Sequence, residues 1–252
     1  MSRDVRELGG AWTRSQRHAF DAPDADLAPW VDRFWTVRWD YQEPYRQKIV
    51  PYPQAHLTVR PGVAAAEVHG PPSRHVVKEL AGNGSVVGVA FRPGVFRALL
   101  GRPVHELTDR WRPARDLPVF GSRPEDPADA AEMADWLRAV LPPAPDPTGR
   151  DAAALVERVA SDRTITRVDE LAAVAGTGVR GLQRLFREHV GLGPKWVIRR
   201  YRLHEVTERL ATGATIRWAD LAGELGYADQ SHLSRDFTAL FGEPPGWYAR
   251  RY

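Results

Sequence analysis

The chain contains no cysteine among its 252 residues. Disulfides, thiolate metal sites and cysteine nucleophiles are therefore excluded. No apolar run reaches the roughly 18 residues a membrane span needs. The first ten residues, Met1 to Gly10, are charged and lack the apolar core of a signal peptide. A cytoplasmic protein without a membrane partner is expected. No Gly-rich phosphate loop, nucleophile elbow or zinc motif occurs, so neither an enzyme nor a cofactor or metal requirement is expected. Net charge is also small, at +3. Its distribution is uneven: Arg150 to Tyr252 carries 16 Lys and Arg against 13 Asp and Glu, and the remainder balances at 19 against 19. The excess positive charge thus lies in the last part of the chain, where it points weakly to a polyanionic partner.

What is abundant is punctuation. Leu141-Pro-Pro-Ala-Pro-Asp-Pro-Thr-Gly149 holds four prolines in nine residues, which neither a helix interior nor a central strand tolerates. The composition changes across it. Before residue 120, short β-branched and aromatic runs (Arg33–Trp39, Ala55–Arg60, Val63–Val68, Ser85–Phe91) alternate with Gly/Pro clusters, a pattern of strands. A short helix is expected over Val95–Leu100, and another over Pro127–Val140. Beyond the prolines the periodicity is helical. The chain reads as an α+β protein of two domains: a mostly-β, barrel-like unit over 1–141, a linker over 142–149, and an all-α domain over 150–252.

The helical part repeats itself. Leu171-Ala172 and Gly176 recur as Leu221-Ala222 and Gly226, and Leu182, Arg184, Phe186, Gly191 and Pro194 as Leu233, Arg235, Phe237, Gly242 and Pro245. Leu-Ala-x-x-x-Gly is a short helix ended by a residue that can turn left-handed. Leu-x-x-x-Phe places two apolar groups on one face of the next helix. Two short helices around a tight glycine turn make a helix-turn-helix unit, whose second helix enters the major groove of DNA.

The second helices sort by face. In the first, Leu182, Leu185, Phe186 and Val190 form the apolar side, and Arg180, Gln183, Arg184 and Arg187 the polar side. In the second, Leu233, Phe237, Leu240 and Phe241 face inward, and Gln230, Ser231, Ser234, Arg235 and Thr238 outward. Arg pairs bidentately with guanine and Gln with adenine; neither outer face has a carboxylate, with Glu188 and Asp236 lying off them. Solvated helix faces would look similar, and it is the repetition that argues for double-stranded DNA. Pro194–Leu210 reads as one connecting helix, with Arg199, Arg200 and Arg202 within reach of phosphates.

Ile165–Tyr252 resembles the AraC/XylS family of bacterial transcription regulators. The matching residues are Val168-Asp-Glu-Leu-Ala172, Leu182-Gln-Arg-Leu-Phe186, Gly191-Leu-Gly-Pro194, Arg202-Leu203, Gly226-Tyr-Ala-Asp-Gln-Ser-His-Leu-Ser-Arg-Asp-Phe237 and Phe241-Gly-Glu-Pro-Pro245. The resemblance implies two helix-turn-helix units joined by a linker helix, with base contacts from Arg180, Gln183 and Arg184 and from Gln230, Ser231, His232 and Arg235. Gly181 departs from a good recognition helix at up to ~1 kcal/mol, and Val206 stands where Ala is usual. The N-terminal half resembles an actinobacterial-type subgroup of these regulators through Trp30-Val-Asp-Arg-Phe-Trp35, Gly88-Val-Ala-Phe-Arg-Pro-Gly94 and Leu107-Thr-Asp-Arg110.

Effector binding, dimerisation, or both are the roles open to the N-terminal domain. The aromatics Trp12, Trp30, Phe34, Trp35, Trp39, Tyr41, Tyr45 and Tyr52 line a pocket on one reading and form core and rim on the other. Trp35 and Trp39, with Arg33 and Arg38 nearby, are the effector-site candidates. His56, His69, His75 and His105 lack the spacing of a metal site. Pro127–Val140 either dimerises or covers the β unit. Partners are then a small-molecule effector, a second copy, and RNA polymerase if the protein activates. The rival to a sequence-specific regulator is a nonspecific architectural DNA-binding protein.

Overall fold

A computed structural model describes residues 15–62, 66–121, 127–211 and 216–249. Trp12, Val63 and the N-terminal charged stretch lie outside them. The N-terminal domain is one antiparallel sheet of β1 (Gln16–Asp21), β2 (Val31–Ile49), β3 (His56–Val59), β4 (Glu67–His69), β5 (Val76–Phe91) and β6 (Trp111–Pro113). The strand order is β1-β2-β5-β3-β4-β6, all antiparallel. Among the described residues its edge strands β1 and β6 do not pair with each other, so the barrel-like expectation resolves into an open sheet.

The two long strands bend. Ile49 pairs with Val76, and Ala55 bonds to Phe91 at the other end of β5. A straight 16-residue strand would run about 50 Å, while the few residues from Ile49 to Ala55 reach less than half of that. The ribbon therefore folds back where the register slips between Tyr41 and Tyr45, opposite Gly82 with φ +58°.

One sheet face carries the core: Phe34, Leu57, Val59, Val68, Val87, Val89 and Phe91 are buried. Helix α1 (Arg97–Leu100) and helix α2 (Ala130–Val140) cover it. Asp129 caps α2 by accepting from Ala131 N and Glu132 N. The apolar side of α2, Met133, Ala134, Trp136 and Leu137, is buried in this core, which is the covering role of the two foreseen for it.

The linker joins the domains closely. Trp30 Nε1 donates to Pro142 O at 3.0 Å. Pro147 already occupies the first turn of α3 (Pro147–Ser161), where it lacks no useful donor. Asp146 caps that helix through Gly149 N at 2.8 Å. Helix α3 has two faces: Ala153 packs into the sheet-domain core, and Ala152, Val156 and Val159 into the next core.

The rest is helical: α4 (Val168–Val174), α5 (Val179–Leu185) running into a single π turn over Phe186–Val190, α6 (Pro194–Ala211), α7 (Trp218–Glu224), α8 (Gln230–Phe241) and α9 (Pro245–Ala249). α4 with α5 and α7 with α8 are the two repeats, and α6 connects them. Each repeat owns a core: Leu171, Ala172, Leu182, Phe186 and Val190 in the first, Leu221, Ala222, Leu233, Phe237 and Phe241 in the second. The four repeat glycines are all left-handed, at φ +61° (Gly176), +76° (Gly226), +84° (Gly191) and +79° (Gly242). Among the described residues no helix is long and apolar enough to cross a membrane.

Candidate DNA-reading surface

The polar sides of α5 and α8 point outward. Arg180, Gln183, Arg184 and Arg187 are exposed, as are Gln230, Ser231 and Arg235, and His232 is half-buried. Their opposite sides hold Leu182 and Phe186, or Leu233 and Phe237, none with measurable exposure. Burying that side fixes each helix's rotation, so the outer residues are presented by packing rather than by their own contacts.

The two helices are prepared differently. Asp229 caps α8 by accepting from His232 N at 2.7 Å, and α8 is regular over 12 residues. His232 then stacks edge-on against Tyr227 with ring centroids 5.2 Å apart. Helix α5 has no side-chain cap and gives way after Leu185 to the π turn. A Cβ on Gly181 would sit 2.6 Å from Thr177 Oγ1, so glycine leaves that hydroxyl its place at the start of the helix. The second unit's outer helix is the better preorganised of the two.

Gln183 and Arg187 also line a hollow of about 270 Å³ with Val168, Pro194 and Lys195. Lys195 was not singled out from the sequence. Its only signal there is its place directly after Pro194, in the first turn of the connecting helix. Arg187 is not wholly free, because its Nη2 lies 3.0 Å from His105 Nε2 of the sheet domain.

The arginines of the connecting helix depart from expectation. Arg200 and Arg202 are buried at 0% and 1% exposure, so neither can reach phosphate in this fold. Arg200 Nε donates to Pro51 O, and its guanidinium lies 4.1 Å from the Tyr52 ring centroid. Arg202 donates to Val159 O and to Asp162 O (3.2 Å), capping the end of α3, and pairs with Glu205. Burial disfavours both charges of that pair. It lowers the Arg202 pKa and raises that of Glu205, and each partner's charge opposes the shift. Arg199 is paired with Asp236 of α8. The spacing of these arginines along α6 suggested phosphate contact, and the inter-helix packing takes them instead.

In the sheet domain, Trp35 and Trp39 lie flat across their cross-strand partners Gly88 and Gly84: a Cβ on either glycine would meet the indole at 2.3 or 2.4 Å. Trp35 Nε1 donates to His56 Nδ1 at 3.3 Å and Trp39 Nε1 to Ala81 O at 3.3 Å. The domain's cavity of about 510 Å³ is on the other side of the sheet, lined by Arg17, Phe34, Thr36, Arg38 and the α2 residues Ala130 and Ala134. The structure brings Arg38 into it, but not the two tryptophans. Arg33 bonds instead to Asp32 and Gln54. Of the remaining aromatics, Trp30 and Phe34 are core, Tyr41 bonds to Gln16 and stacks on Tyr45. The four histidines are engaged separately, His56 with Trp35, His69 with Glu67, His75 with Ala239 O and His105 with Arg187. Among the described residues no three metal-ligating side chains gather.

Residues 171–251 match a family described as a helix-turn-helix domain, and residues 21–112 match a domain of unknown function (DUF6597). The HTH-type transcriptional regulator GlxA of Rhizobium meliloti (strain 1021) is 32% identical over 136 residues, 48% of this chain and 41% of that protein. The chain therefore spans less than half the length of this relative. Among solved structures, ToxT from Vibrio cholerae O395 aligns over 94% of this chain and 98% of its own at 11% identity, with a TM-score of 0.42. The C-terminal domain of AraT, a response regulator from Geobacillus stearothermophilus, aligns over 42% of this chain and 87% of its own at 17% identity, with a TM-score of 0.36. Both structural likenesses are distant. Repeat, helix order and family match agree on the helical half: residues 171–251 form a helix-turn-helix domain of the AraC type.

Proposed function

We propose that the protein is a sequence-specific DNA-binding regulator of transcription, and that α5 and α8 read base edges in successive major-groove segments of one DNA face. The observation that carries this is the pair of repeat-related helices, each fixed in rotation by its own core and each presenting arginine and glutamine outward without a carboxylate. Successive major-groove faces lie about 34 Å apart along B-DNA. Arg180, Gln183, Arg184 and Arg187 serve the first segment, and Gln230, Ser231, His232 and Arg235 the second. The similarity to a transcriptional regulator over 136 residues supports the regulatory role. The sheet domain, residues 1–141, is the regulatory half, with its 510 Å³ cavity as the place for a small-molecule effector; 142–149 joins it to the DNA-binding half, 150–252.

The test is selection of bound sequences from a random duplex library with the full chain at physiological salt. Enrichment of two short elements about one helical turn apart is the expected result. Binding without enrichment, with a steep salt dependence, would instead identify a nonspecific architectural protein.

A further inference from the structure

We propose that the sheet domain acts as a splint that sets the spacing and angle of the two recognition helices, with Thr108 and Lys48 as its positioning residues. The inference rests on the DNA-reading function proposed above and deepens it.

Gly191 and Gly242 close the second helix of each unit and are equivalent in the repeat. The sheet domain grips both. Thr108 Oγ1 donates to Gly191 O at 2.8 Å, and Lys48 Nζ donates to Gly242 O at 3.3 Å. The contact is close in each case. A Cβ on Gly191 would meet Val104 Cγ1 at 2.9 Å, Thr108 Oγ1 at 3.0 Å and Pro71 Cγ at 3.1 Å. One on Gly242 would meet Lys48 Cδ at 3.1 Å and His75 Cδ2 at 3.2 Å. These carbonyls are among those a helix leaves unpaired at its C-terminal end, where a cation or hydroxyl donor is favourable.

Each grip has reinforcement. At the second unit Lys48 also pairs with Glu243, His75 N and Nδ1 reach Ala239 O at 3.3 and 3.1 Å, and Val50 is buried in the unit's own core. At the first, His189 Nδ1 lies 3.3 Å from Gly94 O, and Asp109 holds the gripping loop to Ser73 at 2.7 Å. Midway, Trp196 Nε1 of α6 donates to Ser73 O at 2.8 Å. The two units are thus joined twice: in series through α6, and in parallel through the sheet domain. Through α6 alone each unit is held only where its core meets that helix; the sheet domain adds a second brace that fixes the angle between them. Operator spacing becomes a property of the sheet domain as well as of α6.

The absence of native cysteine makes the test direct. Spin labels on Ala173→Cys and Gly223→Cys, exposed positions in the first helix of each unit, report the distance between units in the full chain without DNA. The distribution should be narrow with Lys48 and Thr108 intact, widen in Lys48→Ala/Thr108→Val, and narrow again in Lys48→Arg with Thr108 restored. Cooperative melting of each variant shows that it is folded. In parallel, library selection should recover the same two elements from the double variant, at variable spacing rather than one. An unchanged distance distribution overturns the splint, whatever the DNA result. A widened distribution with no enrichment even by the parent chain would keep the splint and overturn the DNA reading.

Discussion

Arg199 of the connecting helix is ion-paired with Asp236 of the second recognition helix. Asp236 is the only carboxylate of α8 and is largely buried, at 15% side-chain exposure. His232 Nε2 stands 3.7 Å from the same oxygen. The pair turns the negative charge away from the face that carries Gln230, Ser231 and Arg235, and it braces His232 from below while Tyr227 supports its ring.

Arg235 is exposed, and among the described residues its hydrogen bond is to its own helix, through Nε to Ser231 O at 3.4 Å. An exposed guanidinium can pair bidentately with a guanine. Arg235→Ala should cost about 1–3 kcal/mol of discrimination at one base pair of the selected site. Competition between the selected duplex and single-position variants measures it. Equal weakening on every duplex would make Arg235 a phosphate contact only.

Arg202 is a structural residue. Its removal would leave Glu205, with 9% side-chain exposure, only the more distant Arg163 at 4.0 Å, and the Val159 carbonyl at the end of α3 without the guanidinium that donates to it. Arg202→Met should lower stability by roughly 3–5 kcal/mol, the cost of breaking a buried pair on one side. Adding Glu205→Leu should recover a large part of it, since a buried pair is often replaceable by apolar residues. Urea midpoints at constant slope report both. A Met variant as stable as the parent would show that Arg202 is solvated.

Much of this was legible in the sequence where local chemistry decides. The repeat's glycines sit where left-handed turns are required, and the 3.6 periodicity of α8 divides Leu233 and Phe237 from Gln230 and Arg235 as found. Trp35 and Trp39 stand four residues apart, and so do Gly84 and Gly88. Such spacing is what two cross-strand indole-on-glycine pairs need, but pairing register is non-local and no single strand shows it. The polar second half of β2, with Pro44 inside it, carries no alternation, because it forms a ribbon with little core beneath it. The fates of Arg200 and Arg202 were invisible for the same reason: the groups that bury them come from β2–β3 and α3, far along the chain.

Gly94 marks the seam between the sheet domain and α3. Its φ is +94°, and a Cβ would come within 2.7 Å of both Ala153 N and Gly149 O. Backbone atoms cannot step aside as a flexible side chain does. Gly94→Ala should therefore cost clearly more than the ~1 kcal/mol typical of a compatible Gly-to-Ala change, with opposite sign. It should also loosen the His189 contact to Gly94 O. Thermal melting and amide exchange along α3 would show it; a neutral substitution would mean that α3 does not sit against this turn in solution.

His69 gives the fold a predictable pH response. Desolvation is the main cause of its lowered pKa; the cations of Lys78 and Arg60 add to it, and Glu67 opposes it. Against an ordinary value of 6.5, the unfolded chain takes up this proton first as pH falls. Stability is then lost progressively from about 6.5 down toward the lower folded value, and is fully present above that window. The effect is moderate, because the side chain keeps 23% of its exposure and solvent screens it. Urea midpoints for the parent and for His69→Gln, above and below the imidazole range, isolate it. The variant should lose part of the slope below neutrality. Identical slopes would place the titration that governs acid stability elsewhere, since Glu67 would then hold His69 near its ordinary value.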